Sequence, residues 1–130
     1  MEIKKAIDIA KNVRKNACAE NYYVGACLVS KDGKFYSGCN IENSGIQSIC
    51  AERTAFVKAL SEGEKQFNYI VVVGAPKNST VLEKCLPCGY CRQFINQYVD
   101  KDFKIYTCYG KNNTIEAYSI QELLPHAFTL

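Results

Sequence analysis

The sequence lacks a long apolar run. No hydrophobic stretch approaches the roughly 20 residues that a membrane-spanning helix needs, and the opening MEIKKAIDIAKNVRK contains no apolar block of the kind a signal peptide carries. We therefore expect a cytoplasmic protein that does not enter membranes. In that reducing compartment, the eight cysteines are expected to bind a metal or to serve as small buried side chains rather than to form disulfides.

An excess of charge of one sign is missing as well. The net charge is only +3, and the 16 lysines and arginines are spread along the chain among 13 aspartates and glutamates. Because no basic stripe results, we expect no nucleic-acid polymer as a partner. Repeats, linkers and low-complexity segments are also absent, and 130 residues suit a single domain, 1–130.

Hydrophobic periodicity and turn signals predict a chain of alternating helices and strands. The predicted helices are 2–17, 50–61, 88–98 and a short last helix from the capping pair Ser119 and Glu122 to Pro125, and the predicted strands are 24–30, 34–37, 69–74, 103–109 and 114–118. The run at 69–74 is almost entirely β-branched, which favours a strand buried on both faces. We predict an α/β fold, a three-layer α/β/α sandwich around a five-stranded mixed sheet.

Three cysteines stand close together in CLPCGYC at 85–91. Cys88 and Cys91 lie three residues apart at a predicted helix start, so their side chains project to the same side, and the helix dipole favours thiolates there. Cys50 lies at the start of another predicted helix. Three thiolates brought together by two helix starts suit one tetrahedral Zn²⁺ with an open fourth position, which is typical of a catalytic site.

Two charged residues follow Cys50 in the first turn of its helix. A carboxylate beside a zinc-activated water can take a proton from it and deliver that proton elsewhere, which is the role predicted for Glu52. Three thiolates overcompensate the charge of zinc, and Arg53 can offset the excess by hydrogen-bonding a thiolate.

The segments CAERTA at 50–55 and PCGYCRQ at 87–93 resemble the small cytidine deaminases that use three cysteine ligands. VGA at 24–26, GCNIEN at 38–43, SEG at 61–63 and ELLP at 122–125 also resemble that family in the same order, so the resemblance covers most of the chain. It implies one Zn²⁺ per subunit on Cys50, Cys88 and Cys91. The implied reaction is hydrolytic deamination of cytidine and 2′-deoxycytidine to the uridine forms with release of ammonia, in pyrimidine nucleoside salvage. Glu52 would protonate the ring nitrogen and then the leaving ammonia.

The resemblance implies further contacts with a small-molecule nucleoside. Asn40 and Glu42 would hydrogen-bond the ribose, Tyr22 would lie beside the substrate, and the backbone of Ala51 would contact the base. Phe128 would reach into a neighbouring subunit's site, because these small deaminases are typically homotetramers with active sites shared between subunits.

Two departures from the family pattern lie where the substrate and the subunits would meet. Cys18-Ala19-Glu20 stands before Tyr22, where the family usually has Pro-Tyr-Ser. The segment 43–49 between Glu42 and Cys50 is one residue shorter than expected and lacks a tyrosine that often contacts a neighbour. Both departures bear on substrate preference and subunit contacts rather than on the zinc chemistry.

Alternatives stay open at the level of sequence. A deaminase of a modified pyrimidine nucleoside, or of a nucleoside antibiotic such as blasticidin S, would use the same chemistry. Cys85 would complete a closed, structural four-thiolate zinc site or an iron–sulfur cluster, although Pro87 separates it from the helix.

Several of the singled-out residues also have a purely structural interpretation. Asn40 and Glu42 would then shape a loop, and Tyr22 and Phe128 would be core aromatics. The remaining cysteines are predicted to be buried small side chains: Cys18, Cys27, Cys39 and Cys108. The only histidine, His126, is predicted at the surface or an interface and is not needed as a ligand.

Overall fold

Five strands form one mixed sheet in the computed structural model, which describes residues 3–129. Numbered in chain order, the elements are α1 (Ile3–Arg14), β1 (Tyr22–Ser30), β2 (Phe35–Cys39), α2 (Ala51–Ser61), β3 (Phe67–Pro76), α3 (Gly89–Tyr98), β4 (Lys104–Tyr109), β5 (Thr114–Ser119) and α4 (Ile120–Leu123). The strand order is β2-β1-β3-β4-β5, with β3 and β4 parallel and the other neighbours antiparallel. The predicted element order and mixed sheet are confirmed.

The central strand β3 separates two hydrophobic cores. Its residues 69–75 are all buried, and because side chains alternate along a strand, they divide between the two faces of the sheet. Ile70 and Val72 join the core beneath α2 and α3, whereas Val71 and Val73 join the core beneath α1. Helices therefore cover both faces, as a three-layer α/β/α sandwich requires.

Two glycines let helices lie directly on the sheet. A β-carbon at Gly25 of β1 would overlap the Ala10 carbonyl oxygen of α1. One at Gly38 of β2 would lie 2.6 Å from the Ala51 carbonyl oxygen of α2. Because any side chain would push the helix away, Gly38 fixes the depth at which the first turn of α2 sits.

The structure differs from the predicted boundaries by a few residues. Helix α1 ends at Arg14 rather than near residue 17, β1 begins at Tyr22 rather than at residue 24, and β2 continues to Cys39. Within residues 3–129, no helix has the length and hydrophobicity needed to cross a membrane.

One prediction about the cysteines is wrong. Cys27, Cys39 and Cys108 are buried as expected, but Cys18 is exposed. The reason is that Cys18 lies beyond the end of α1 and pairs with Ile41 in an isolated parallel bridge outside the five-stranded sheet, where no helix covers it.

Candidate active site

Three thiols meet where α2 and α3 begin. Cys50 and Cys88 are the N-cap residues of the two helices, and Cys91 lies in the first turn of α3. Their sulfur atoms all lie within 4.8 Å of one another, and the Cys50 and Cys88 Sγ atoms are 3.9 Å apart. Tetrahedral zinc with Zn–S bonds of about 2.3 Å needs sulfurs about 3.8 Å apart, so this three-thiol cluster (Cys50, Cys88 and Cys91) fits Zn²⁺.

The surroundings of the three-thiol cluster favour negative charge on the Cys50 sulfur. Hydrogen bonding from Cys91 is the main reason that the pKa of Cys50 is lowered to about 5, and Cys88 and Arg53 act in the same direction. The same bond, together with burial, raises the pKa of Cys91. Cys50 and Cys88 are both N-cap residues whose side chains do not cap their helices, and the positive end of a helix dipole favours a thiolate at that position.

Arg53 lies against the three-thiol cluster. Burial lowers the pKa of its guanidinium, but the nearby thiols of Cys91 and Cys50 raise it above the usual range. Nη2 donates to the Ser48 carbonyl oxygen at 3.2 Å, and the group stacks 4.4 Å from the centre of the Tyr90 ring. These contacts hold a permanent positive charge beside two of the sulfurs, which is the position that its predicted charge-compensating role requires.

Glu52 is a buried carboxyl in the first turn of α2. Only 4% of the residue is exposed, and this burial, with a smaller contribution from Cys50, raises the pKa of its carboxyl to about 7. A carboxyl with that pKa can both accept and release a proton near neutral pH. The geometry therefore provides a proton carrier two residues from one of the thiols.

Cys85 is not a member of the three-thiol cluster. Among residues 3–129, the only group of metal-ligand side chains found is Cys50, Cys88 and Cys91. The Cys85 thiol instead lies over Gly74, where a β-carbon would be 2.8 Å from its sulfur and 3.0 Å from the Tyr22 ring. Burial, followed by the nearby Glu52, raises the pKa of Cys85 to about 12. A neutral thiol thus lies beside the site without joining the other three, contrary to a closed four-thiolate site.

Asn40 and Glu42 lie close to the start of β1. The Asn40 amide donates to the Tyr22 carbonyl oxygen at 2.8 Å and accepts from the Val24 N–H at 2.9 Å. The Glu42 carboxylate is exposed and accepts from the Glu20 N–H at 3.0 Å. Asn40 therefore has a structural task in fixing β1, while its contact with a ribose stays a prediction, as does that of Glu42.

The unusual segment 18–20 is hydrogen-bonded to the segment after β2 that carries these two residues. The Cys18 N–H donates to the Asn40 carbonyl oxygen at 3.0 Å, and the Glu42 N–H donates to the Cys18 carbonyl oxygen at 2.7 Å. Residues 18–20 and 42–44 together line an open cleft of about 410 Å³. Residues 18–20, which depart from the family pattern, thus line the same cleft as Glu42.

Tyr22 has a partner that the sequence did not indicate. Its hydroxyl donates to Glu83 Oε1 at 3.1 Å, and burial raises the pKa of the phenol above its usual range, so it remains a donor. Glu83 belongs to the loop between β3 and α3, and no sequence motif marks it. Its bridge to Gly74 of β3 and the pairing of β3 with β1 together bring it to Tyr22. Ala51 is fully buried at the first position of α2.

Phe128 lies on the surface, with 69% of the residue exposed. Gln93 holds its backbone through both amide atoms, at 2.6 and 3.3 Å. With Tyr90, Phe94 and Tyr98 it lines an open groove of about 460 Å³. The interpretation of Phe128 as a core aromatic is therefore wrong.

Known proteins resemble this chain over most of its length. Residues 1–107 match the family model described as the cytidine and deoxycytidylate deaminase zinc-binding region. A cytidine deaminase of Sporosarcina psychrophila is 38% identical over 132 residues, which cover 99% of this chain and 93% of that protein. A blasticidin-S deaminase of Bacillus cereus is 34% identical over 112 residues, covering 83% and 78%.

Solved structures agree with this sequence similarity. The crystal structure of a cytidine deaminase from Burkholderia pseudomallei superposes with a TM-score of 0.84 at 34% identity, over 98% of this chain and 100% of that one. The three thiols and the buried carboxyl beside them all lie within residues 1–107, the region that matches the family model. The chain belongs to the cytidine and deoxycytidylate deaminase zinc-binding family.

Proposed function

We propose that this protein is a zinc-dependent cytidine deaminase that hydrolyses cytidine and 2′-deoxycytidine to uridine and 2′-deoxyuridine with release of ammonia. The observation that carries the proposal is the buried carboxyl of Glu52, with a pKa near 7, two residues from a cluster of three thiols of the right size for Zn²⁺. A structural zinc site has no need of such a proton carrier. The closed-site and iron–sulfur alternatives would also need a fourth thiol, and Cys85 lies outside the cluster.

The protein's own residues supply the metal site and the proton transfers. Cys50, Cys88 and Cys91 would hold one Zn²⁺, which supplies Lewis-acid activation of water at neutral pH. Glu52 takes a proton from the attacking water and delivers it to the ring nitrogen beside the amine-bearing carbon. Glu52 next takes the proton of the hydroxyl that has been added to this ring carbon and gives it to the amine. The carbonyl forms as the C–N bond breaks, and the amine leaves as ammonia. Arg53 keeps the excess negative charge of the thiolates compensated.

Substrate binding is assigned to residues around the start of β1. Tyr22, held by Glu83, forms a side wall for the nucleoside, and the backbone of Ala51 contacts the base. Asn40 and Glu42 hydrogen-bond the ribose. Asn40 bonds the β1 backbone through both of its amide atoms, yet an amide has one more N–H and further lone pairs to offer.

The proposed enzyme acts in pyrimidine nucleoside salvage in the cytoplasm as a homotetramer. The groove between Phe128 and Tyr98, with its exposed aromatic rings, supports burial against another subunit, because apolar patches of this kind mark interfaces. In that assembly, Phe128 would complete a neighbour's active site.

The first experiment follows the loss of ultraviolet absorbance when purified protein meets cytidine. Zinc-loaded protein should convert cytidine to uridine, zinc-stripped protein should not, and re-added Zn²⁺ should restore the rate. Stripped and re-loaded protein is the matched control, because it has passed through the same chelation step. If zinc-replete protein leaves both cytidine and 2′-deoxycytidine unchanged, the proposed substrate class is wrong.

A second candidate substrate class is a modified nucleoside such as blasticidin S. It is favoured by segment 18–20, whose Glu20 N–H holds Glu42 and whose residues line the cleft of Glu42, and by the similarity to a blasticidin-S deaminase. The same absorbance assay with blasticidin S separates the two classes. Faster turnover of the antibiotic than of cytidine would establish this second candidate.

A further inference from the structure

A second cleft, of about 610 Å³, opens beside the C-terminal end of α1. Three parts of the chain line it: α1 through Lys11 and Arg14, the loop 79–82 after β3, and the β4–β5 turn at 110–113. None of the cysteines of the three-thiol cluster lines it, nor do Glu52, Asn40 or Glu42. It is therefore separate from the deaminase site.

Three cations from two parts of the chain line the cleft. Lys11 and Arg14 line it from α1 and Lys111 from the β4–β5 turn, and no aspartate or glutamate is among the lining residues. Among residues 3–129, ion pairs involve four other lysines, and none of these three cations. Three cations without acidic partners facing one cavity attract an anion.

The chain holds two of the cations in fixed positions. Arg14 donates through Nε to the Tyr23 carbonyl oxygen at 2.8 Å and through Nη2 to the carbonyl oxygens of Ala75 and Pro76, both at 2.9 Å. Lys11 Nζ donates to Asn113 Oδ1 at 3.0 Å. Neutral acceptors orient both side chains but do not cancel their charge, so the positive field in the cleft is preorganised.

The remaining lining suits an organic anion better than a bare ion. Ser79 and Thr80 add hydroxyl groups, and Val81 and Leu82 add an apolar wall. Pockets of a few hundred Å³ with mostly apolar walls and a few placed polar groups are typical small-molecule sites. The volume leaves room for a group the size of a nucleoside beside a phosphate.

We propose that this cleft binds a phosphate monoester, with the phosphate among Lys11, Arg14 and Lys111 and the organic part against Val81 and Leu82. Lysine and arginine are the side chains that proteins use for phosphate, through charge-assisted hydrogen bonds. The inference is independent of the proposed deamination, because it concerns a separate cleft.

Calorimetric titration of the full-length protein with UMP, inorganic phosphate and uridine tests the proposal. UMP should bind more tightly than inorganic phosphate and should weaken as salt rises, since salt screens exposed charges over about 10 Å at 0.1 M. The Lys11→Ala/Lys111→Ala variant should lose UMP affinity by about tenfold or more, with any binding of uridine unchanged.

The matched control is Lys65→Ala/Lys101→Ala, which removes the same charge from exposed positions outside the cleft. It should bind UMP as the unmodified protein does. A single Lys111→Glu substitution in the exposed turn is a second variant and should also lower the UMP affinity by about tenfold or more. The proposal is overturned if UMP does not bind at millimolar concentration, or if its affinity falls equally in the control. If the cleft variants bind UMP as tightly as the unmodified protein, the nucleotide binds outside this cleft. If inorganic phosphate binds as tightly as UMP, Val81 and Leu82 do not bind an organic group as proposed.

Discussion

A carboxyl that carries protons must be able to lose and regain them, and Glu52 meets that condition through burial. We expect Glu52→Gln to keep zinc and fold, because glutamine has the same shape and is not a ligand. Without the proton carrier, kcat should fall by about 10²- to 10⁴-fold. The measurement is the cytidine absorbance assay together with zinc content.

The matched control for this variant is Glu62→Gln, at the exposed C-terminal end of the same helix. It should leave kcat unchanged. Near-normal turnover in Glu52→Gln would show that another group moves the protons.

Cys85 tests the composition of the metal site. Its thiol lies over Gly74 and outside the three-thiol cluster, so Cys85→Ser should retain one zinc per subunit and turnover close to that of the unmodified protein. A hydroxyl in this partly apolar place should lower the free energy of unfolding by about 1 kcal/mol. Cys88→Ser is the comparison, because replacing a cluster thiol should cost the metal. Loss of zinc from Cys85→Ser would revive the four-thiolate site.

The ligand set could be predicted from the sequence, whereas several neighbours of the substrate site could not. Cys88 and Cys91 lie within the first turn of α3, and Cys50 and Glu52 lie at the start of α2, so spacing along the chain fixes the geometry within each pair. Glu83 reaches Tyr22 because it bridges Gly74 of β3 and because β3 pairs with β1, and no local pattern predicts either pairing. For the same reason, the bonds from Asn40 to the β1 backbone were not foreseen.

At the scale of elements, the depth of α2 on the sheet determines the positions of the metal ligand Cys50 and of the proton carrier Glu52. A β-carbon at Gly38 would lie 2.6 Å from the Ala51 carbonyl oxygen, so Gly38→Ala must push the first turn of α2 outward. We expect it to lower the free energy of unfolding by about 1–3 kcal/mol. It should also weaken zinc binding by about 10- to 100-fold, as measured by competition with a chelator.

Gly25→Ala is the control for this prediction on the opposite face of the sheet. It creates a comparable overlap with α1, which carries no residue of the three-thiol cluster, and should destabilise the fold with little effect on zinc affinity. Equal zinc affinity in the two variants would mean that the position of α2 does not control the site.

The elements themselves were predictable because their periodicities are strong, but their ends were not. The unbroken apolar run of β3 indicated a strand buried on both faces, and the pair Ser119 and Glu122 forms the expected capping box. Cys18 was misassigned because burial depends on what covers a residue, and its bridge to Ile41 lies outside the main sheet. The strand order, with β1 between β2 and β3, likewise depends on pairing between distant segments.

For the whole molecule, the sharpest question is whether one subunit completes another's site. Phe128 is exposed, and Gln93 fixes its backbone, a placement that suits insertion into a neighbour. If it acts there, Phe128→Ala should raise KM or lower kcat although Glu52 and the three-thiol cluster are intact. Ile115→Ala, which removes another exposed apolar side chain, should not do so.

Mixing two defective proteins distinguishes action between subunits from action within one. If the proposed tetramer forms, a Glu52→Gln subunit in a mixed assembly still supplies Phe128, and a Phe128→Ala subunit still supplies Glu52. Sites that combine the two intact residues should therefore regain activity after subunit exchange. The activity of the mixture should rise well above the summed activities of the two variants measured separately, and sedimentation should show a tetramer. If the activity only equals that sum although differently tagged subunits are shown to exchange, Phe128 acts within its own subunit. If Phe128→Ala alone is fully active, Phe128 has no role in the active site.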